Sequence, residues 1–363
     1  MLGHDNRVRV SIVAPCYNEA AGLREFHRRA SDASEAVLGA KRAGGHGWEI
    51  ILVDDGSRDR TWDVISELTD IDPCVLGVRL MRNHGHQLAV TAGLSLARGE
   101  RVLLIDADLQ DPPELLARMM RMMDEGAEVV YGQRTRRNAE SVFKRATAAG
   151  FYRLLGRMSG TPIPRDTGDF RLMSRRVVDA LASMPERQRF IRGMVSWVGG
   201  RQIALPYERQ GRHAGTTAYP LRKMAVFAVD AITSFSTAPL RLASWLGVAA
   251  AALAVALLLY TLWRWEQGST VAGWSSTMTA ITMFGAVQLI VLGILGEYVG
   301  RLFEEVKARP LFLVDTVLAG RNAHALPTDF ARLSPDARRH MMDAIWQENA
   351  ANQNIPRPTA LAG

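Results

Sequence analysis

Short apolar runs alternate with segments of helical periodicity between residues 8 and 132, and the runs end among polar residues. The run VLLI at residues 102–105 is apolar throughout, which is typical of a strand buried on both faces of a sheet. Alternating strands and helices predict a mostly parallel α/β sheet. Because the loops of such a sheet gather at the carboxyl ends of its strands, we expect a ligand site there.

Three acidic residues, Asp106, Asp108 and Asp111, follow this run at once, and two prolines come directly after them. The plainer interpretation is a solvated turn that leads into a helix, because the first turn of a helix favours proline and acidic residues. Three carboxylates so close together repel one another unless a positive group lies among them. We favour Mg²⁺ or Mn²⁺ held by Asp106 and Asp108 against a diphosphate, because hard cations prefer oxygen ligands.

The loops after the first two predicted strands carry side chains that suit a nucleotide. These loops contain PCYNE at residues 15–19 and VDDGS at residues 53–57. Tyr17 can lie against a base, and Asp54 can accept hydrogen bonds from a base N–H or a ribose hydroxyl. A helix cap at Asn18 and an ordinary turn in the second loop are the plainer alternatives. No G-x-G-x-x-G motif follows the first strand, so the sequence does not predict a dinucleotide site. The order of PCYNE, VDDGS and the acidic segment after residue 105 favours a nucleotide site of another kind.

Two long apolar runs dominate the last third of the chain. The run at residues 242–263 has no charged residue, and Glu297 is the single charged residue of the run at residues 276–300. At about 1.5 Å per residue the first spans roughly 33 Å, enough to cross a bilayer. A buried helical hairpin in a soluble core is the alternative, which two such runs in succession make less favourable. The positive-inside rule then predicts cytoplasmic flanks and a cytoplasmic amino-terminal domain. The basic residues that flank the pair are Arg222, Lys223, Arg241, Arg301, Lys307 and Arg309.

The net charge and the cysteine content limit the kinds of binding partner and the cell compartment to be expected. The formal net charge is +7 at pH 7, so nucleic acid, phosphorylated substrates or an anionic membrane surface are all acidic partners to consider. Cys16 and Cys74 are the only cysteines, too few for a disulfide framework and without the spacing of metal ligands. We therefore expect the chemistry to face a reducing cytosol.

Basic residues are concentrated between residues 134 and 176. A solvated helix face is an equally good interpretation for Arg153 and Arg157. No nucleic-acid motif or array of stacking aromatic residues accompanies the charges, so nucleic acid is not an expected partner. Because two membrane runs follow, anionic headgroups and the phosphate of a lipid acceptor are better partners. Asp166 and Asp169 lie among these arginines.

The segment before the first apolar run predicts an amphipathic helix in the membrane interface, although such a stripe is more often soluble core. Its apolar residues recur at spacings of three and four: Met224, Phe227, Ala228, Ala231, Ile232 and Phe235. After residue 314 the sequence predicts one helix, at residues 334–347, and otherwise disorder.

The motifs together resemble glycosyltransferase family 2 with the GT-A fold, and specifically the polyprenyl-phosphate glycosyltransferases of the bacterial GtrB type, relatives of dolichyl-phosphate mannose synthase. The resemblance covers roughly residues 8–315. The motifs that carry it are APCYNE, LVDDGSRDRT, RNHGHQLAVTAGL, DADLQDPPE, YGQR, DTGDFRLM, RFIRGMVSWVGG, ERQGRHAGTT, SFSTAPLR and LGEYVGRLFEEVKARP. The chain departs from the family pattern at two positions: Ala218 stands where this family commonly has lysine, and Ser174 where it commonly has aspartate.

The resemblance and the pattern together imply four regions. They are a cytoplasmic GT-A domain with a Rossmann-like, mostly parallel sheet at residues 8–219, an amphipathic juxtamembrane helix at 220–240, a two-helix transmembrane hairpin at 241–300, and a partly disordered cytoplasmic tail at 301–363.

The resemblance also implies roles for individual residues. The nucleotide would contact Pro15, Tyr17, Asn18, Glu19, Asp54, Asp55 and Gly85. Mg²⁺ or Mn²⁺ would lie among Asp106, Asp108 and Gln110. The donor diphosphate and the acceptor phosphate would lie near Arg134, Lys144, Arg209, Arg212 and Lys223. The catalytic residues would be Asp106, Asp108 and Asp169.

Asp169 has two interpretations. An acid at this place in glycosyltransferases often acts as the base toward an acceptor hydroxyl. A phosphate monoester has its second pKa near 6 and is already mostly dianionic at pH 7. We therefore expect Asp169 to organise Arg171 and its neighbours more than to accept a proton.

The expected function is inverting transfer of a sugar from a nucleoside diphosphate, expected to be UDP, to a polyprenyl phosphate such as undecaprenyl phosphate. The lipid-linked product would serve cell-envelope glycan modification at the inner membrane, and the resemblance implies a homo-oligomer, a tetramer.

A processive polysaccharide synthase is one alternative function, but its Q-x-x-R-W motif is missing. Gln188 and Arg192 are one residue too far apart, and Gly193 replaces the tryptophan. A non-catalytic subunit that binds nucleotide sugars is another.

Overall fold

The computed structural model describes residues 8–39, 47–135, 167–208, 238–267, 273–320, 322–327 and 329–353. It divides into two compact units. Unit 1 contains Met1–Arg145, Ile163–Ala218 and Arg309–Gly363, and unit 2 contains Ala146–Pro162 and Tyr219–Ala308. Four of the predicted phosphate-binding residues and the expected amphipathic stripe lie outside the described residues. The four are Lys144, Arg209, Arg212 and Lys223.

One sheet forms the centre of unit 1, with strand order β7-β5-β6-β4-β1-β2-β3-β8-β9 among the described residues. The strands are β1 Val10–Cys16, β2 Trp48–Asp54, β3 Val75–Leu80, β4 Arg101–Leu104, β5 Val129–Arg134, β6 Thr167–Ser174, β7 Gln202–Tyr207, β8 Val314–Ala319 and β9 Asn322–His324. The helices are α1 Leu23–Leu38, α2 Thr61–Ile71, α3 His86–Leu96, α4 Leu116–Asp124, α5 Arg175–Ser183, α6 Ile191–Val198, α7 Ala238–Glu266, α8 Trp274–Val306 and α9 Pro335–Gln353.

The predicted parallel sheet is present in its middle, where β4, β1, β2 and β3 run parallel. Every residue of β1 and β2 is buried, as expected for strands covered by helices on both faces. The outer part is mixed, because β6 pairs antiparallel with both β4 and β5 while β5 and β7 are parallel. The sequence pattern up to residue 132 could not show this, since β6 and β7 come from later in the chain.

The predicted disorder after residue 314 is wrong for the segment that forms β8 and β9. Strand β8 pairs antiparallel with β3, from Leu76 opposite Ala319 to Leu80 opposite Val314, and β9 pairs with β8. Pairing with β8 satisfies backbone groups of β3 that an open sheet edge would leave exposed. The predicted helix is present and longer than expected, as α9. The last part of the chain therefore belongs to unit 1.

Helix α9 contacts the rest of unit 1 through Arg98, just after α3, among other residues. The Arg98 guanidinium lies 4.6 Å from the centre of the Trp346 ring and 3.2 Å from Asp343. On its other side Arg98 donates to the buried carboxylate of Glu49, at 2.8 to 2.9 Å. Arg339 of α9 pairs with Asp179 of α5 at 2.5 Å.

Unit 2 contains helices α7 and α8, which pack against each other. Their segments Pro239–Tyr260 and Ala280–Val306 have mean hydropathies of 2.3 and 1.8, and both are long and apolar enough to cross a membrane. Only 6% and 0% of their most apolar stretches are buried, so they are not the core hairpin of a soluble fold. Both predicted apolar helices are thus present, with slightly different bounds.

Candidate active site

The loops after β1 and β2 are joined by hydrogen bonds at the carboxyl edge of the sheet. The Asn18 N–H donates to Ser57 Oγ at 3.0 Å, and Asn18 Oδ1 accepts from the Arg58 N–H at 2.8 Å. The Glu19 N–H donates to Thr61 Oγ1 at 2.9 Å. Asn18 has a φ of +57°, a conformation that asparagine tolerates better than most residues. The loop side chain of Tyr17 remains 43% exposed, and so is available to lie against a base.

Asp54 and Asp55 have different environments. Asp54 is buried and accepts from the Ser57 N–H at 3.1 Å. Both oxygens of Asp55 accept backbone N–H groups, from His84 at 2.7 Å and from Gly85 at 2.9 Å. Burial raises the pKa of Asp55, and these two N–H donors oppose that rise. Asp55 thus ties the second loop to the loop before α3, and its contact with a nucleotide stays a prediction.

Gly56 allows these two loops to approach each other. It has a φ of +69°, and a Cβ atom there would lie 2.6 Å from the Asn83 backbone nitrogen. A side chain would therefore clash with the loop that leads into α3.

Asp106 lies where β4 leaves the sheet. Its Oδ1 atom is buried and accepts no hydrogen bond from any residue that the structure describes, and His86 Nε2 lies 3.7 Å away. Burial is the largest cause that raises the pKa of Asp106 to about 6. His86 opposes the rise, whereas the carboxylates of Asp169, Asp111 and Asp108 add to it. This crowding of carboxyl groups favours a cation.

The loop that follows presents the other predicted metal ligands. Asp108 Oδ1 accepts from the Gln110 N–H at 3.1 Å, and Gln110 itself is buried. Between them, buried Leu109 has a φ of +61°, a strained conformation for leucine that the surrounding core maintains. Within the described ranges, no three His, Cys, Asp or Glu side chains gather as a complete metal site. The Asp106 oxygen that accepts no hydrogen bond from the described residues fits a divalent cation, whose remaining ligands would come from a diphosphate.

Asp169, on β6, is the most strongly held carboxylate of the site. Its Oδ1 accepts from Arg192 Nε at 2.8 Å, and its Oδ2 contacts His86 Nε2 at 3.0 Å and Gln87 Nε2 at 3.1 Å. Burial favours the neutral acid, but the His86 hydrogen bond and the Arg192 and Arg171 charges hold the pKa of Asp169 well below its usual range. An acid this strongly ionised is a poor proton acceptor at neutral pH.

Arg171 has a smaller part in this cluster than the sequence indicated. Its guanidinium donates to the backbone carbonyls of Gly168 at 3.0 Å and Asp169 at 3.3 Å, and lies 3.9 Å from the Asp169 carboxylate. Burial lowers the pKa of Arg171 to about 10. Asp169 therefore organises Arg192 and His86 more directly than Arg171.

Arg134 ends β5 beside a buried pair. Its Nη2 atom lies 4.0 Å from Asp111 Oδ1, and its Nε donates to the Tyr207 hydroxyl at 3.4 Å. The Tyr207 hydroxyl in turn donates to Asp111. Gly168 makes room for this arginine, because a Cβ atom there would lie 2.6 Å from Arg134 Nη2. The predicted contact of Arg134 with phosphate stays a prediction.

Four residues of the site were not predicted from the sequence: His86, Gln87, Arg192 and Tyr207. His86 and Gln87 begin α3 directly after a polar loop, and this position could have marked them. Arg192 was considered only as part of an absent motif. The structure brings the predicted residues Asp106 and Asp169 together at His86, and Asp108 and Gln110 lie in the loop that follows Asp106.

Comparisons with known proteins identify the family of the chain. The glycosyl transferase family 2 model matches residues 11–182, and the GtrB C-terminal hairpin model matches residues 238–302. The chain is 43% identical over 308 residues to the uncharacterized glycosyltransferase YkcC of Bacillus subtilis, covering 85% of this chain and 93% of that protein. It is 37% identical over 311 residues to the bactoprenol glucosyl transferase of Shigella phage SfX, covering 85% of this chain and 99% of that protein.

A solved structure, the mannosyltransferase PcManGT from Pyrobaculum calidifontis in complex with GDP-Man and Mn²⁺, is 21% identical with a TM-score of 0.40, covering 80% of this chain and 87% of that chain. The α/β unit and the matches to its sequence define the chain as a glycosyltransferase. It belongs to glycosyl transferase family 2, with a GT-A-like mixed sheet and the GtrB C-terminal hairpin. The predicted family and fold class are confirmed.

Proposed function

We propose that the chain transfers a sugar from a nucleoside diphosphate, expected to be UDP, to a polyprenyl phosphate at a membrane. This proposal rests on one observation: a buried Asp106 oxygen that accepts no hydrogen bond from the part of the chain that the structure describes lies near the ionised Asp169, in a family 2 domain followed by the GtrB hairpin. The match to a bactoprenol glucosyl transferase over 99% of that protein's length supports the lipid acceptor.

In the proposed reaction a phosphate oxygen of the acceptor attacks the anomeric carbon while the bond to the donor diphosphate breaks. Attack from the face opposite the leaving group inverts the configuration. Asp106, Asp108 and Gln110 would hold Mg²⁺ or Mn²⁺, which when bound neutralises the departing diphosphate. Tyr17 and Asp54 would hold the nucleotide.

The Asp169 cluster would receive the acceptor phosphate. Burial lowers the pKa of His86, but the Asp169 hydrogen bond and the Asp106 charge outweigh it, so the net shift is upward. His86 and Arg192 would thus present positive charge to the phosphate while Asp169 holds their orientation. Because the acceptor phosphate is mostly dianionic at pH 7, no base is required.

The proposed location follows from the two apolar helices and the chain around them. Unit 1 includes residues on both sides of the hairpin, up to Ala218 and from Arg309. If α7 and α8 cross the membrane, both flanks must therefore lie on one side. Arg241 and Arg301 favour the cytoplasm for that side. A homo-oligomer stays a prediction.

The test is an assay of membranes that contain the full chain, with a panel of UDP- and GDP-sugars and undecaprenyl phosphate, followed by extraction of lipid products. One donor should give a sugar-linked lipid whose formation stops in excess chelator. Membranes with the Asp108→Asn variant are the matched control. Release of free sugar without a lipid product would instead support a nucleotide-sugar binding subunit.

A further inference from the structure

Exposed large apolar side chains are few in the described part of unit 1, and two of them lie on segments that contact the same later stretch of the chain. The four are Tyr17, Ile71, Met81 and Trp197. Tyr17 belongs to the nucleotide loop, and Ile71 ends α2. Trp197, on α6, is 69% exposed, and Met81, just after β3, is 58% exposed. Trp197 is thus a large apolar side chain that lies open to solvent on α6.

Helix α6 has a buried face and an open face. Ile191, Met194 and Val195 are buried, and Arg192 reaches Asp169 in the active site. At 100° per residue, Trp197 lies about 140° around the helix from Arg192. The open face of α6 thus points away from the active-site carboxylates while the same helix contacts them.

Both exposed residues lie on segments that contact the chain just after α8. In the loop before α6, Arg187 Nη1 donates to the Arg309 carbonyl at 2.6 Å. Ile191 and Phe312 line one small cavity. The Met81 N–H donates to the Leu313 carbonyl at 3.0 Å.

Arg309 is three residues beyond Val306, where α8 ends. At no more than about 3.8 Å per residue, Arg309 must lie within roughly 11 Å of the end of that helix. A membrane-spanning α8 would therefore bring the segment that contacts α6 close to the bilayer surface. Tryptophan is the side chain that favours this headgroup region most, together with tyrosine.

We propose that the open face of α6, centred on Trp197, is a membrane-contact surface that rests in the headgroup region of the bilayer. This inference rests on the membrane location in the proposed function. It gives the catalytic unit its own contact with lipid, beside the hairpin. Because α6 also carries Arg192, that contact would hold the Asp169 cluster at the height of a lipid phosphate.

The test measures depth in the membrane by spin labelling of the full chain in vesicles of phosphatidylethanolamine and phosphatidylglycerol. A nitroxide is attached at cysteine in Trp197→Cys, in Ile71→Cys as an equally exposed control, and in Leu258→Cys in the middle of α7. Cys16 and Cys74 are buried and should remain unlabelled. Oxygen and a water-soluble nickel complex report lipid and water exposure.

The label at residue 197 should show the ratio of oxygen to nickel access that is typical of headgroups, and the label at residue 71 the ratio of bulk water. A label at 258 in lipid with a label at 197 in bulk water would overturn the membrane-contact surface and leave the proposed function intact. A label at 258 in bulk water would overturn both the membrane-contact surface and the proposed function.

If Trp197→Cys does not fold, Trp197→Ala is assayed instead. Its KM for the lipid acceptor should rise several-fold with no change in the KM for the donor, and an unchanged KM for lipid would overturn the surface.

Discussion

At the scale of single residues, the carboxylate of Asp169 makes the stability of the fold depend on pH. Its pKa is depressed in the folded chain, so ionised Asp169 stabilises the fold above the unfolded value near 3.9. That stabilisation is lost as the pH falls through the folded value. Its neighbours also explain why we expect it to organise the site instead of accepting a proton.

Asp169→Asn keeps the shape of the side chain and removes the charge that holds Arg192 and His86. Transfer should fall about tenfold to a hundredfold. The remaining rate should still rise through about pH 6, where the acceptor phosphate titrates. Initial rate against pH at saturating lipid measures both. A folded variant that binds donor and acceptor yet makes no product would identify Asp169 as an essential base.

Asp108→Asn should abolish transfer and leave the fold intact. Loss of a metal ligand removes several kcal/mol of charge stabilisation, and each ~1.4 kcal/mol is a factor of ten in rate. Asp124→Asn is the matched control, because Asp124 is exposed and pairs with Arg101. Rates and circular dichroism are compared for both variants. Near-normal turnover by Asp108→Asn would refute the metal assignment.

The raised pKa of Asp106 predicts a pH-dependent metal affinity. Between about pH 4 and 6 the folded chain holds a proton that the unfolded chain has already released, so this group's contribution to stability falls as the pH rises through that range. A cation must displace that proton. Calorimetric titration with Mn²⁺ and UDP should therefore show affinity that rises between about pH 5 and 7. A constant affinity across this range would contradict the assignment of Asp106 as a ligand.

The sequence was sufficient to place Asp106, Asp108 and Tyr17 in loops at the carboxyl edge of the sheet, because each comes shortly after a buried strand. Their contact with a metal or a nucleotide stays a prediction. The sequence could not show that His86 and Arg192 meet at Asp169. Those residues come from α3, α6 and β6, and their contact depends on how distant segments fold together.

At the scale of elements, the last part of the chain also could not be predicted fully from its local sequence. Strand β8 is short and only partly buried, so its own pattern is weak. Its strand character comes from pairing with β3, which lies far earlier in the sequence. Helix α9 was predictable, because its periodicity is local.

Helix α9 should contribute to the stability of unit 1. Met342 on α9 is fully buried, and Met342→Ala should lower the free energy of unfolding by about 2 to 5 kcal/mol. Gln347→Ala, at an exposed position of the same helix, is the control and should change it little. Urea unfolding of the full chain in detergent measures both. Equal midpoints for the two variants would mean that α9 unfolds separately from the sheet.

At the scale of the whole molecule, the arrangement of the chain predicts its topology. Gln267, at the end of α7, should lie outside, and Gln347 on α9 should lie in the cytoplasm. On intact cells an impermeant thiol reagent should label Gln267→Cys and should label Gln347→Cys only after permeabilisation. The wild-type chain is the control, because Cys16 and Cys74 are buried. The reverse labelling would refute this orientation.

The pairing of β8 with β3 also sets the order in which the molecule can be completed. A ribosome makes β3 first, then all of α7 and α8, and only afterwards β8. Until β8 emerges, one side of β3 is an open edge that other nascent chains can pair with. Closure of this edge of the sheet is thus a late event of synthesis and follows the release of both apolar helices. Cells that make the chain faster than they insert those helices should accumulate aggregates that form through β3.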